Sequence, residues 1–130
     1  MSINLLNSFI KFASAGSTVW YGDRGINFGG SKSGGDRVDN IDYENITSTS
    51  NASDFGNLAV ATNYISGSVS NGTRGVMAGG NSASGTLDTI EYISTSSTGN
   101  TSSFGDLTTD MKQGSAGGNG TYCIWGGGET

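Results

Sequence analysis

The chain has 130 residues, a net charge of −5 and no histidine, and 33% of its residues are hydrophobic. The length suits a single domain, and the acidic balance argues against nucleic acid as a partner, because nucleic acid requires a basic surface. Without histidine the chain lacks the usual general base and the commonest zinc and copper ligand, and its one cysteine cannot form an internal disulfide. The composition therefore predicts no catalytic residue, no metal site and no cofactor.

Residues 1–13 differ from the rest of the chain. They lack the basic start, apolar core and small-residue cleavage site of a signal peptide, and no apolar run in the chain approaches the roughly 20 residues that span a bilayer. We therefore predict no signal peptide, no transmembrane segment and no membrane partner. The apolar residues of the segment are compatible with a short amphipathic helix or with an extended arm. We expect the segment either to cap the end of the core or to dock on another subunit.

A short alternating run that ends in a glycine pair occurs three times. The copies begin at residues 23, 73 and 121, so they are offset by 50 and then by 48 residues. A period of this size indicates an array of supersecondary units. Each glycine pair ends a strand and permits positive φ or a very close approach of another backbone. The six glycines are Gly29 and Gly30, Gly79 and Gly80, and Gly127 and Gly128.

Two further motifs recur in the same order and at a similar offset. The first, Asp39–Tyr43, returns as Asp88–Tyr92, and the second, Asn51–Leu58, returns as Asn100–Leu107. Motifs in a fixed order do not arise by chance in a chain that is merely rich in glycine and serine, so the repeat is real. Its aromatic landmarks are Tyr43, Tyr92, Phe55 and Phe104.

From residue 14 onward the pattern predicts only strands and turns. In the glycine-pair run, Met77 points to the opposite side from its two neighbours. In the next strand, Ile90 and Tyr92 point inward and Glu91 lies in solvent. The repeat domain covers residues 14–130, with repeats at about 14–62, 63–111 and, in part, 112–130.

Two shorter strands complete each repeat. One is centred on Gly105 beside Phe104, and the other lies near Ser115–Gly118. Asn119–Gly120, like Asn71–Gly72 one repeat earlier, predicts a tight hairpin because both residue types tolerate positive φ. Four short antiparallel strands in about 49 residues are typical of one propeller blade.

The recurring motifs resemble kelch-type β-propeller repeats and, more closely, the kelch-like arrays in structural and tail-fibre proteins of marine bacteriophages. The resemblance implies an all-β fold of four-stranded antiparallel blades. The chain departs from the family at Asn63 and Lys112, where an arginine is usual, and at Tyr122–Cys123, which replaces Arg–Gly in the third copy. The matching phrases are Thr73–Gly80, Ile90–Thr95 and Gly99–Thr109, and the resemblance extends over about residues 14–128.

The function implied by the resemblance is that of a non-enzymatic virion structural protein. It would be a capsid decoration, spike or tail-fibre component that acts through protein–protein assembly in the phage particle. The alternative is a carbohydrate-binding, propeller-lectin-like module that recognises a glycan of the host surface. The expected partners are other copies of this chain, other virion proteins and, under the alternative, that glycan.

The number of repeats predicts an oligomer. Propellers close with 4–8 blades, whereas the sequence encodes about two and a half. Open strand edges promote association with other strands. We therefore expect a homo-oligomer in which subunits complete the propeller. A closed ring and a stacked stalk both satisfy this expectation.

Several aromatic side chains are candidates for binding. Asn27, Met77 and Trp125 occupy the same outward position of the glycine-pair strand, and a position that varies between repeats suits a specialised surface. An aromatic face could stack on sugar rings, although the same side chains could instead pack between blades. The aromatic candidates are Trp20, Tyr21, Tyr122 and Trp125.

The charged residues favour structural roles. We expect Arg24 and Arg74 to pair with carboxylates of a neighbouring strand or subunit, which is favoured over ligand binding. The acidic residues of Asp39–Tyr43 and of its repeat could be read as acid–base or calcium groups. Turn chemistry at the strand start and a solvated strand face explain them without a site.

Overall fold

The structure of this protein is a computed structural model that describes residues 22–130. The segment 1–13, and with it the expected arm or helix, lies outside the described residues. The same holds for two of the aromatic candidates, Trp20 and Tyr21.

Short antiparallel strands form three small sheets, and within each sheet every strand pairs with its neighbours in sequence. The prediction of an all-β fold is confirmed, because residues 22–130 contain no helix. No closed barrel or propeller forms within that range, so the propeller stays a proposal. The first sheet contains β1 (Arg24–Ser31), β2 (Arg37–Asn45) and β3 (Ser53–Asn57); the second contains β4 (Ser68–Ser70), β5 (Arg74–Ser82), β6 (Gly85–Ser94) and β7 (Ser102–Asp106); and the third contains β8 (Ser115–Gly118) and β9 (Cys123–Gly126).

The first and second sheets repeat each other in register. Ile26 lies opposite Tyr43 in the first sheet, and Val76 lies opposite Tyr92 in the second. Each of these two sheets has a β-bulge at its glycine pair and a second one where its last two strands pair, with Phe55 of β3 and Phe104 of β7 as the unpaired residues. The repeat seen in the sequence is therefore also a repeat of the backbone.

The glycine pairs allow the positive φ and the close backbone approach predicted for them. The prediction that they end their strands is wrong for β1 and β5, which continue past the pairs to Ser31 and Ser82. Gly29 and Gly79 have φ of 56° and 61°, in the left-handed region that L-residues with a side chain avoid. A Cβ atom on Gly79 would overlap the carbonyl oxygen of Met111, and one on Gly29 would overlap that of Thr62. Each pair therefore lets the segment that leads to the next sheet approach very closely, and Gly80 donates to the Met111 carbonyl at 2.7 Å.

The two Asn–Gly hairpins form where they were predicted, at the β4–β5 and β8–β9 connections. Gly72 and Gly120 have φ of 87° and 88°, but neither Asn71 nor Asn119 has a positive φ. The asparagines act through their side chains instead. Asn71 Oδ1 accepts hydrogen bonds from the N–H groups of Thr73 and Arg74 at 3.0 and 2.8 Å, and Asn119 Oδ1 accepts the equivalent pair.

The largest buried apolar cluster lies between the first and second sheets. It brings side chains from β2, β3 and the segment after β3 against side chains from β5 and β6. Their exposed fractions are between 0 and 4%. No sheet of this size could bury these side chains alone, so the contact between sheets is the core. The cluster consists of Ile41, Phe55, Leu58, Met77 and Ile93.

The close approach at Gly79 predicts a large loss of stability when a side chain is added. Gly79→Ala should lower the free energy of unfolding by at least about 2 kcal/mol, because the methyl group meets the Met111 carbonyl and alanine is strained at this φ. Gly117→Ala is the control, since a Cβ there has no neighbour within 4 Å; its effect should stay within about 0.5 kcal/mol. Urea denaturation of both variants measures the difference, and equal losses would contradict the prediction.

Candidate functional site

The second sheet uses both of its faces for packing. Gly75 lies opposite Ile93 and Met77 lies opposite Glu91, so these four residues share one face. That face contacts the first sheet, and Met77 is only 1% exposed. The prediction that Met77 points to solvent is therefore wrong, because the preceding sheet covers this face. Asn27, the equivalent residue of the first sheet, is exposed as predicted.

Glu91 forms hydrogen bonds at the polar edge of the contact between the first and second sheets. Its Oε2 atom accepts a hydrogen bond from the Ala59 N–H at 3.1 Å and another from the Thr101 hydroxyl. The residue is 7% exposed, so the prediction that it lies in solvent is wrong. A carboxylate at this depth requires such donors. Ile93 is the sequence signal for its burial, because Ile93 lies two positions away on the same strand face.

The loop between β6 and β7, residues 95–101, covers the last strand of the first sheet. We name it the covering loop. Gly99 donates to the Phe55 carbonyl at 2.7 Å, and Thr101 donates to the Asn57 carbonyl at 3.0 Å. Asn100 Oδ1 accepts from the Asn57 N–H at 3.0 Å. The outer edge of β3 is thereby hydrogen-bonded by the next unit of the chain.

In the second sheet the equivalent strand is β7, and no covering loop lies over it in the described part of the chain. Phe104 occupies the place of Phe55 in the repeat but is 51% exposed, against 2% for Phe55. A Cβ on Gly56 would overlap the Gly99 carbonyl of the covering loop, whereas one on Gly105 would have no neighbour within 4 Å. The equivalent position on the second sheet is therefore open among the described residues.

The β8–β9 hairpin borders this open position. A cleft of about 200 Å³ separates Phe104 from Cys123 of β9. Two large side chains of the hairpin, Tyr122 and Ile124, are 73% and 74% exposed. We name Phe104, Tyr122, Ile124 and the free edge of β9 the open face. Phe104 and Tyr122 line the cleft, whereas Ile124 lies with Tyr122 on the other side of β9. Exposed apolar side chains beside a free strand edge favour association.

Each of the two larger sheets carries a column of one arginine and two aromatic rings. The guanidinium of Arg24 lies 4.8 Å from the centre of the Tyr43 ring, and that of Arg74 lies 4.9 Å from the Tyr92 ring. Both tyrosines make edge-to-face contacts with a phenylalanine, with ring centres 5.8 and 5.9 Å apart. The columns are Arg24–Tyr43–Phe55 and Arg74–Tyr92–Phe104.

The two arginines differ in their further contacts. Arg24 Nη1 donates to the Thr95 carbonyl of the covering loop at 2.9 Å, whereas Arg74 is exposed at the open face. The predicted pairing with carboxylates of a neighbouring strand is wrong, because each guanidinium stacks on a tyrosine instead. In residues 22–130 the salt bridge formed is Lys112–Glu129, at 3.5 Å. Pairing with another subunit stays a prediction.

The two described aromatic candidates lie on opposite faces of the third sheet. Trp125 is half-buried and its Nε1 lies 3.5 Å from the Gly67 carbonyl of the preceding unit, so it packs between sheets. Tyr122 is largely exposed on the other side. The structure therefore does not gather these two rings on one sugar-stacking surface.

Two clefts occupy equivalent places at the two junctions between sheets. The first has a volume of about 430 Å³, and its polar rim includes Asp23, Ser68 and Thr95. The second is the cleft of about 200 Å³ beside Phe104. Arg24, Ile26, Ser70, Gly72 and Gly75 line the first cleft, and Arg74, Val76, Gly118, Gly120 and Cys123 line the second at the corresponding positions.

Residues 22–130 contain no group of three or more acidic or cysteine side chains that could hold a metal ion. In the same part of the chain, no helix has the length and apolar character needed to cross a membrane. No known family model matches the sequence, and a search of curated proteins found no significant match.

The repeat provides a matched test of the arginine columns. Arg24→Ala removes a stack on Tyr43 and a charged hydrogen bond to Thr95, so it should lower the free energy of unfolding by about 2 kcal/mol. Arg74→Ala removes only an exposed stack and should cost about 0.5 kcal/mol. Urea denaturation of the two variants under identical conditions is the measurement. A larger cost for Arg74→Ala would contradict the assignment.

Proposed function

We propose that the chain is a non-enzymatic structural protein of a bacteriophage particle, built from kelch-like blades and acting through protein–protein assembly. It would serve as a capsid decoration, spike or tail-fibre component. The proposal starts from the resemblance of the repeat to kelch-like arrays of phage fibre and structural proteins. The contrast between the buried Phe55 and the exposed Phe104 supports it further, because it identifies a surface that assembly would cover.

Three properties of the described residues support the reading of the sheets as blades. The second sheet has four antiparallel strands in the order of the sequence, as a propeller blade does. Its β5–β6 pair repeats the register of β1–β2 in the first sheet. The first and second sheets pack face to face through the apolar cluster. On this reading β8 and β9 are the first two strands of a further blade.

The open face supports a role in assembly. Phe104, Tyr122 and Ile124 are each more than half exposed, and β9 pairs with β8 alone in the described chain. Free strand edges beside apolar side chains favour association, which removes both from water. A particle protein of this kind would be covered in its assembled state.

Association of the purified chain tests this role. We expect light scattering across a dilution series to give a defined oligomer of two or three chains, or a larger regular assembly, because the open face becomes buried. Phe104→Ser should shift the series toward the monomer, and Ile46→Ser, which changes another exposed apolar residue, should not. A folded monomer at every concentration would contradict assembly through copies of this chain.

The location in a particle needs a separate measurement. Antiserum against the purified chain should label phage particles by immunogold electron microscopy in a lysate that contains this protein. Labelling confined to material other than particles would contradict the virion assignment.

The cleft between the first and second sheets favours a second candidate function, carbohydrate binding. Its volume of about 430 Å³ could hold a sugar unit, and its rim presents Asp23, Ser68 and Thr95 as hydrogen-bonding groups. The cleft recurs in smaller form at the next junction. The first cleft, with its carboxylate and hydroxyls, would suit a neutral glycan of a host surface.

A glycan array separates this candidate from a purely structural role. If the clefts bind glycan, we expect saturable binding that Asp23→Ala weakens by at least about tenfold, because a carboxylate acceptor for sugar hydroxyls is lost. Asp36→Ala is the control, since Asp36 is exposed and does not line the cleft. Absence of saturable binding to any glycan would remove this candidate and leave the structural role unaffected.

A further inference from the structure

We infer that the open face is an acceptor site for a two-stranded β-hairpin of the β6–β7 type, supplied by another polypeptide that carries this repeat. The hairpin would extend the third sheet at β9 and cover β7 of the second sheet. This inference rests on the proposed role in assembly and names the surface and the chemistry of the partner.

The junction between the first two sheets serves as the template. There, β6 pairs with β5, and the covering loop that follows β6 hydrogen-bonds β3. Together they bury Phe55 to 2% exposure. The β6–β7 hairpin is thus the element that covers a phenylalanine at this position of the repeat.

The acceptor offers the same groups in the same order. In the template, the Phe55 and Asn57 carbonyls accept from Gly99 and Thr101. The equivalent carbonyls, those of Phe104 and Asp106, accept no bond from a covering loop in residues 22–130. The cleft beside Phe104 leaves about 200 Å³ for an incoming side chain.

The edge of β9 fixes the register of an added strand. In an antiparallel sheet the hydrogen-bonding groups of successive residues point alternately to the two neighbouring strands. Gly75 pairs with Ile93 across β5–β6, and Met77 pairs with Glu91. Cys123 and Trp125 occupy the equivalent places on β9, as their pairing with β8 shows. They therefore present their backbone groups to the incoming strand.

This register determines which side chains the partner needs at each position. An apolar residue equivalent to Ile93 lies opposite Cys123 and fills the space over Phe104. An acidic residue equivalent to Glu91 lies opposite Trp125 and accepts from the N–H of Thr108, the counterpart of Ala59. An asparagine equivalent to Asn100 reaches the backbone of β7. Main-chain pairing supplies affinity and these side chains supply specificity, as in other β-augmentation sites.

The shape of the acceptor selects a hairpin rather than a whole sheet. An intact sheet such as β1–β3 brings its own inner strand, and that strand would coincide with β9. A hairpin supplies one strand that pairs with β9 and a following segment that covers β7, and it brings no third strand to the position of β9. An isolated hairpin is marginally stable in water, so the partner orders when it binds.

A peptide of residues 85–107, added to the full-length chain, tests the inference. The chain has a single cysteine, Cys123, which serves as the reporter. The peptide with Ile93→Cys, activated as a mixed disulfide with thionitrobenzoate, should form a disulfide with Cys123 and release thionitrobenzoate. It should react at least about tenfold faster than the same peptide with Tyr92→Cys, because directly opposite residues lie about 5 Å apart and residue 92 faces the other side. Equal rates would overturn the register and the inference.

Binding of the unmodified peptide, measured by fluorescence anisotropy, provides the second readout. Phe104→Ser in the chain should weaken binding by at least about tenfold because a buried aromatic contact is lost. Ile46→Ser should leave it unchanged. Asn100→Ala in the peptide should also weaken binding. Circular dichroism verifies that each chain variant is folded, and equal affinity for a scrambled peptide would overturn the inference. Failure of these tests would leave the light-scattering and immunogold tests of the proposed function standing.

Discussion

The structure depends on the packing of one face of each sheet against the opposite face of the next. Sheets of two to four strands have too little apolar area to be stable alone. The only way to bury side chains such as Phe55 is to place them under the following sheet. Stability in such an array is a sum of contacts between neighbours, as in other repeat proteins. The environment of a residue therefore depends on the neighbouring sheet as much as on the local sequence around that residue.

Glycines and buried hydrogen bonds make this packing possible in a chain that is poor in hydrophobic residues. Gly56 admits the covering loop and Gly79 admits the backbone near Met111, so that main-chain atoms meet with no side chain between them. Glu91 then satisfies donors from both sides of the junction. Close backbone contact and hydrogen bonds across the contact between sheets contribute what larger side chains provide in other β proteins.

The sequence was sufficient to predict the repeat, the strands, the hairpins and the role of the glycine pairs, because each of these has a local cause. It did not predict that Met77 and Glu91 are buried. Alternation identifies two faces of a strand but does not show which is buried, and in the second sheet both are. The exposure of Phe104 also could not be predicted from the sequence, because Phe55 and Phe104 have nearly the same neighbours in sequence. Their difference arises from the neighbouring sheet, which no local pattern encodes.

The two larger sheets also differ in the face that they present to a preceding neighbour. At the place of Ile93, the first sheet has Glu44, which is exposed. Placing Glu44 over Phe104 would bury a carboxylate against an aromatic ring, at a cost that an apolar residue does not incur. The open face therefore favours a partner hairpin with an apolar residue at the place of Ile93 over one with a carboxylate there. Because a carboxylate is costly at this place and an apolar residue is not, the open face is selective for the strand that pairs with it.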